Sequence, residues 1–138
     1  MTNADCIFCK ILRAEIPAHF VEQTDSHAVF LDKGPLFRGH CLVVPTAHHE
    51  TLLSVPPPEL GPLFASVQRV ARAVERGLGC DGSLVAMNNT VSQSVPHLHV
   101  HVIPRRKKDG LKGFFWPRQK YAGDEEMADF AAKIAAAL

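Results

Sequence analysis

The sequence predicts an α+β domain built on a mainly antiparallel sheet. His97, His99 and His101 alternate with Leu98, Val100 and Val102 between Pro96 and Pro104. A period of two marks a strand, with three imidazoles on one face and three aliphatic side chains on the other. Short apolar runs at 19–22, 27–31, 41–44 and 83–87 lie between turn residues and read as further strands. The stretch 60–78 has helical spacing instead. Leu60, Leu63, Phe64, Val67, Val70, Ala71 and Val74 share a stripe, with Gln68, Arg69, Arg72, Glu75 and Arg76 mostly elsewhere. Clustered strands with one long helix argue for α+β.

Each element has its own signal. Cys6 to Arg13 is compact and apolar, a short helix ending before Pro17. Strands 19–22 and 27–31 form a hairpin that turns at Thr24-Asp25-Ser26, and Asp32-Lys33-Gly34-Pro35 is a loop. Strand 41–44 is stopped by Pro45. Pro56-Pro57-Pro58 precede the long helix, and Gly77 and Gly79 end it. A polar loop, 88–95, joins strand 83–87 to the histidine strand, 97–103, its expected antiparallel partner. Asp124 to Leu138 is a terminal helix with Asp124 as N-cap and Glu125 and Glu126 in its first turn. There is no internal repeat. The expected organisation is one domain, 1–138, with the motifs in 1–104 and an extension over 105–138.

Composition narrows the function classes. The 138 residues carry a formal charge of +1, with 46% hydrophobic and 21% charged residues. That balance is ordinary for a globular protein and gives no general drive toward nucleic acid or membrane. The first five residues lack a basic or apolar stretch, so the chain reads as cytoplasmic. Disulfides among Cys6, Cys9, Cys41 and Cys80 are then not expected. The run Arg105-Arg106-Lys107-Lys108 reads as a solvated loop, placed where it could also favour a phosphate.

Three titratable rings on one strand face have no purely structural use. Residues i and i+4 of a strand lie roughly 13 Å apart, so one ion cannot hold His97 and His101 together unless the strand bends. Same-face neighbours, about 6.5–7 Å apart, can each reach part of one extended ligand such as a phosphate-bearing substrate. Cys6-Ile7-Phe8-Cys9 is a C-x-x-C, which fits a redox pair, half of a zinc site or two packed thiols. A closed structural zinc needs two more ligands. The candidates are His48 or His49, and His97.

Together these residues resemble the histidine triad superfamily. The run from His97 to Ile103 is similar to its H-φ-H-φ-H-φ-φ signature. Cys6-Ile7-Phe8-Cys9-Lys10-Ile11, Glu15-Ile16-Pro17-Ala18, Phe30-Leu31-Asp32, Gly39-His40, Val43-Val44-Pro45 with His48, and Gln93-Ser94-Val95 follow in the family's order. The resemblance implies a five-stranded antiparallel sheet with a long central helix and a C-terminal helix. It also implies a homodimer whose sheets join. The implied activity is that of a nucleotide hydrolase or transferase releasing a nucleoside monophosphate such as AMP from phosphoramidates, mixed anhydrides or dinucleoside polyphosphates. His99 would attack the α-phosphorus and form a nucleotidyl-imidazole that water opens. His101, Gln93 and Ser94 would contact the phosphate or leaving group, Asp32 the ribose hydroxyls, and His40 would stand beside the triad. The implied zinc ligands are Cys6, Cys9, His48 and His97.

The chain also departs from the family pattern. The loop after Asn88 is about two residues short, and Ser92 stands where a glycine commonly precedes the glutamine. Either Asn88 or Asn89 could then face the nucleotide. Trp116, in Phe114-Phe115-Trp116, is expected either to pack on the core or dimer partner or to stack on the base. A neutral imidazole is a competent nucleophile at pH 7 once its other nitrogen is held protonated by an acceptor such as a backbone carbonyl.

Overall fold

The structure is a computed structural model, and residues 4–112 and 118–138 are described. The chain divides into two compact units, Met1–Lys107 and Lys108–Leu138. The first holds helices α1 (Ile7–Leu12) and α2 (Pro57–Leu78) and strands β1 (Phe20–Gln23), β2 (His27–Leu31), β3 (Cys41–Pro45), β4 (Gly82–Ala86) and β5 (Val100–Arg105). The five strands form one sheet in the order β1-β2-β3-β5-β4, each pair antiparallel. This is the α+β architecture expected from the sequence. The second unit holds helix α3 (Asp124–Ala136). Among the described residues no helix is long and apolar enough to cross a membrane.

Strand alternation divides the core in two. Val29, Val43, Leu98, Val100 and Val102 pack with Leu63, Val67, Val70 and Val74 of α2. Ala28, Phe30, Leu42 and Val44 point the other way, onto Phe8, Cys9 and Ile11 of α1. The imidazoles of His97, His99 and His101 share this α1 side, because Leu98, Val100 and Val102 are wholly buried on the other.

Several boundaries move. The histidine strand does not begin at residue 97. His97 and Leu98 precede the ladder, and their amides donate instead to Val95 O at 2.8 Å and His49 O at 2.7 Å. Strand β5 then runs past Pro104 to Arg105. Proline is tolerated there because the pairing with β3 ends at Val102. Helix α2 starts at Pro57, with prolines filling its first turn, where amides lack intrahelical partners anyway. Gly77 lies inside the helix and Gly79 alone ends it, at φ +62°. Arg106 donates to the last carbonyls, Leu78 O and Gly79 O, both at 2.7 Å, so this member of the basic run caps a helix. Gly123 rather than Asp124 is the N-cap of α3, and Asp124 joins Glu125 and Glu126 in the first turn.

Gly39 fixes the approach to the site. Its φ is +97°, and a Cβ there would meet Leu78 Cδ1 at the end of α2. Gly39→Ala is therefore expected to cost about 2–4 kcal/mol through strain and overpacking and to displace His40. Chemical denaturation checks this, and an unchanged midpoint would refute it.

Candidate active site

The histidine row is a set of rings whose tautomers are dictated by their partners. His97 is fully buried, and its Nε2–H donates to Pro45 O at 2.9 Å. A carbonyl only accepts, so Nδ1 keeps the lone pair. In His99 the polarity is reversed. Its Nδ1–H donates to His97 O at 2.8 Å, leaving the lone pair on Nε2. The backbone acceptor that a nucleophilic imidazole requires is thus supplied by the residue two positions earlier.

His101 belongs to a relay. The amide of Leu36 donates to His40 Nδ1 at 3.1 Å, so His40 carries its proton on Nε2. That proton points to His101 Nδ1 at 2.8 Å, with Asp32 Oδ2 at 3.6 Å. His101 must therefore carry its own proton on Nε2. The row offers a bare nitrogen at His99 and an N–H donor at His101. Burial pushes His97 and His101 down to about 4 and lowers His40 as well, although Asp32 opposes the shift at both His40 and His101.

A second constellation forms where α1 meets the start of the row. Cys6, Cys9, His48 and His97 place one donor atom each within 4.8 Å of the others. Cys6 Sγ lies 3.5 Å and Cys9 Sγ 3.6 Å from His97 Nδ1, while Cys9 Sγ lies 3.4 Å from His48 Nδ1. The two Nδ1 atoms are 3.2 Å apart. Around a tetrahedral zinc with ordinary bond lengths, S···N edges are about 3.6 Å and N···N edges about 3.3 Å. The donor set fits.

The ring directions agree. His48 and His97 have centroids 4.9 Å apart and nitrogens 3.2 Å apart, so their lone pairs converge on a shared point. His40 and His101 have centroids 5.0 Å apart but nitrogens only 2.8 Å apart. Those rings point more nearly head to head, as hydrogen-bonded partners do. Asp32, His40 and His101 also lie within ligand distance of one another, but their geometry is that of a relay. His49 is excluded from the thiol cluster, since its Nε2 pairs with Glu59 Oε2 at 2.9 Å.

The chain as a whole has known relatives. The family model described as the HIT domain matches residues 13–108.

The chain belongs to the histidine triad (HIT) family.

It is 35% identical over 109 residues to the adenylylsulfatase HINT3 of Arabidopsis thaliana. That match covers 78% of this chain and 55% of the longer plant protein, so the chain spans little more than half of that relative. It is 36% identical over 121 residues to the adenosine 5'-monophosphoramidase HNT1 of Saccharomyces cerevisiae, covering 86% and 73% of the two chains. A crystal structure of a zinc-bound histidine triad family protein from Mycobacterium smegmatis superposes with a TM-score of 0.74 at 35% identity, covering 96% of this chain and 97% of that one.

Around this HIT signature, the remaining expected site residues are placed unevenly. Asp32 accepts from Gly34 N at 2.8 Å through Oδ1, a turn bond, and turns Oδ2 toward His40. The short loop uses its own amides. Asn88 Nδ2 donates to Ser92 O at 3.2 Å, and Asn89 Oδ1 accepts from Leu52 N at 2.9 Å. Gln93 bridges Glu50 O at 2.6 Å and Thr90 N at 2.9 Å. Ser94 is exposed. Ser92 has φ +60°, a left-handed backbone that glycine adopts more easily, which explains what the commoner residue does at that position. Trp116 lies outside the described residues.

Sequence reasoning passed over Phe8. Its ring stands edge-to-face to His97 at 5.8 Å and to His99 at 5.1 Å. The available signal was an aromatic residue inside the C-x-x-C itself.

Proposed function

We propose that the chain is a HIT nucleotide hydrolase or transferase that cleaves at the α-phosphorus of adenosine phosphoramidates, mixed anhydrides or dinucleoside polyphosphates. The observation that carries this reading is the bare Nε2 of His99, held by the bond from its Nδ1–H to His97 O. A neutral imidazole so fixed can form a bond to phosphorus as the bond to the leaving group breaks. Water then opens the nucleotidyl-histidine and releases AMP. His101 donates Nε2–H to the phosphoryl oxygen or to the leaving atom, nitrogen in a phosphoramidate and oxygen in an anhydride, as charge develops, and His40 holds it in the donor tautomer. Asp32 takes the ribose hydroxyls, since a carboxylate accepts from both. Gln93 and Ser94 flank the phosphate, with Asn88 and Asn89 shaping the loop.

Zinc held by Cys6, Cys9, His48 and His97 would brace the fold. Four protein ligands close its coordination, so it has a structural task. The working unit is the whole chain, 1–138, as a cytoplasmic homodimer. The phosphoramidase and adenylylsulfatase activities named for the yeast and plant relatives support the choice of substrates.

A substrate panel tests this. Adenosine and guanosine phosphoramidates, adenylyl sulfate and diadenosine polyphosphates are incubated with purified protein, and free monophosphate is measured. AMP release from at least one adenosine substrate is expected. Binding of AMP without release from any would overturn the enzyme in favour of a nucleotide-binding regulatory module.

A further inference from the structure

The reactive imidazole needs more than a tautomer. The bond from His99 Nδ1 to His97 O fixes the proton, yet the χ2 torsion of a histidine is broad and leaves the ring free to tilt. Two aromatic rings supply further restraint. His101 stands at 4.9 Å and 68° to His99, and Phe8 at 5.1 Å and 85°. Phe8 also leans on His97 at 5.8 Å and is backed by Phe30 at 5.5 Å. It is only 7% exposed, so it has no room to withdraw. It comes from α1, between Cys6 and Cys9, whose sulfurs face His97 Nδ1. One side chain therefore touches a ring of the thiol–imidazole cluster and the ring proposed to react.

We propose that Phe8 is a positioning residue for His99, and that the cluster of Cys6, Cys9, His48 and His97 anchors α1 so that Phe8 aims the imidazole. This rests on the reading of His99 as the nucleophile. It assigns the metal cluster a second consequence besides stability, because loosening α1 releases Phe8 and lets the reacting nitrogen wander. Small misplacements of a reacting atom are costly in rate.

Phe8→Ala and Phe8→Leu are compared with wild type in metal content, steady-state kinetics and nitrogen-15 spectra of the imidazoles. In Phe8→Ala, kcat is expected to fall at least about tenfold with KM within about threefold. Phe8→Leu, which refills most of the space without a ring, should fall between. In both, metal content stays at the wild-type value, the His99 resonances move or broaden, and those of His40 and His101 hold. A raised KM with unchanged kcat would make Phe8 a pocket wall and overturn the proposal. So would His99 resonances identical to wild type. If wild type itself releases no monophosphate, the functional reading fails separately, and the spectra still decide whether Phe8 orders His99.

Discussion

Alanine at position 99 should leave a folded protein that still binds mononucleotide but turns substrate over about a thousandfold more slowly, or worse. Removing a nucleophile removes the covalent route, and losses of this order or larger accompany such changes in other enzymes. Mononucleotide binding should survive, because the ribose and phosphate contacts proposed for Asp32, Gln93, Ser94 and His101 come from side chains other than His99. His99 is 5% exposed and, among the described residues, its side chain is hydrogen-bonded through Nδ1 alone, so alanine also opens a small cavity, and a modest loss of stability is expected beside the kinetic one. A slow substrate mixed with wild type should add one nucleotidyl mass to the peptide carrying His99, and His99→Ala should add none. A variant with near-wild-type rate would rule out the covalent path.

The same relay sets the acid limit. His101 titrates at about 4 and His40 is also lowered, both mainly by burial, against an ordinary histidine value near 6.5. As pH falls through the unfolded value, the unfolded chain binds protons that the folded chain refuses. The stability these neutral rings contribute is thus complete above about pH 6.5 and lost as pH drops toward 4. Melting temperature measured from pH 8 to pH 4 should stay level and then decline over that window. A rise on acidification would contradict the neutral relay.

Much of the fold could be read from side-chain period alone. Leu98, Val100 and Val102 are buried as alternation requires, even though the ladder begins only at Val100. The period reports which way side chains face, whereas the strand assignment depends on which amides find partners. Those of His97 and Leu98 find them in residues 95 and 49. The resemblance implies that His40 stands beside the triad, but residue pattern alone does not show its bond to His101, for a related reason. His40 meets His101 because β3 pairs with β5, with Leu42 opposite His101, and the sequence reading paired the histidine strand only with β4. His48 and His49 were indistinguishable by spacing. The choice is made by Glu59 on α2, which takes His49 and leaves His48 to the thiols. The resemblance implies that Gln93, and either Asn88 or Asn89, face the nucleotide, yet Asn89 and Gln93 also tie the loop to Leu52 and Glu50 at backbone atoms that no side-chain pattern announces.

Loss of the proposed zinc should be the largest single blow to stability. Without an ion, two sulfurs and two imidazole nitrogens crowd within 4.8 Å in a mostly buried cluster, with few protons to share among them. His48 Nε2 is buried and has no partner among the described residues, so this ring has no second bond to fall back on. Each buried polar group left unpaired costs about 1–3 kcal/mol, and losing the cluster's closure should total roughly 3–5 kcal/mol. In a chain of this size that is about 10–20 °C in melting temperature. Protein purified without chelator should carry about one zinc per chain, and chelation or Cys9→Ala should produce the full drop. His48→Ala should approach it. His49→Ala should cost less than about 1 kcal/mol, because its partner Glu59 is half exposed and the pair is screened by water. Calorimetry with metal analysis on the same samples decides between them. Equal losses for His48→Ala and His49→Ala, or a metal-free wild type with an unshifted melting temperature, would remove the ion from this account and leave the thiols as ordinary packed side chains.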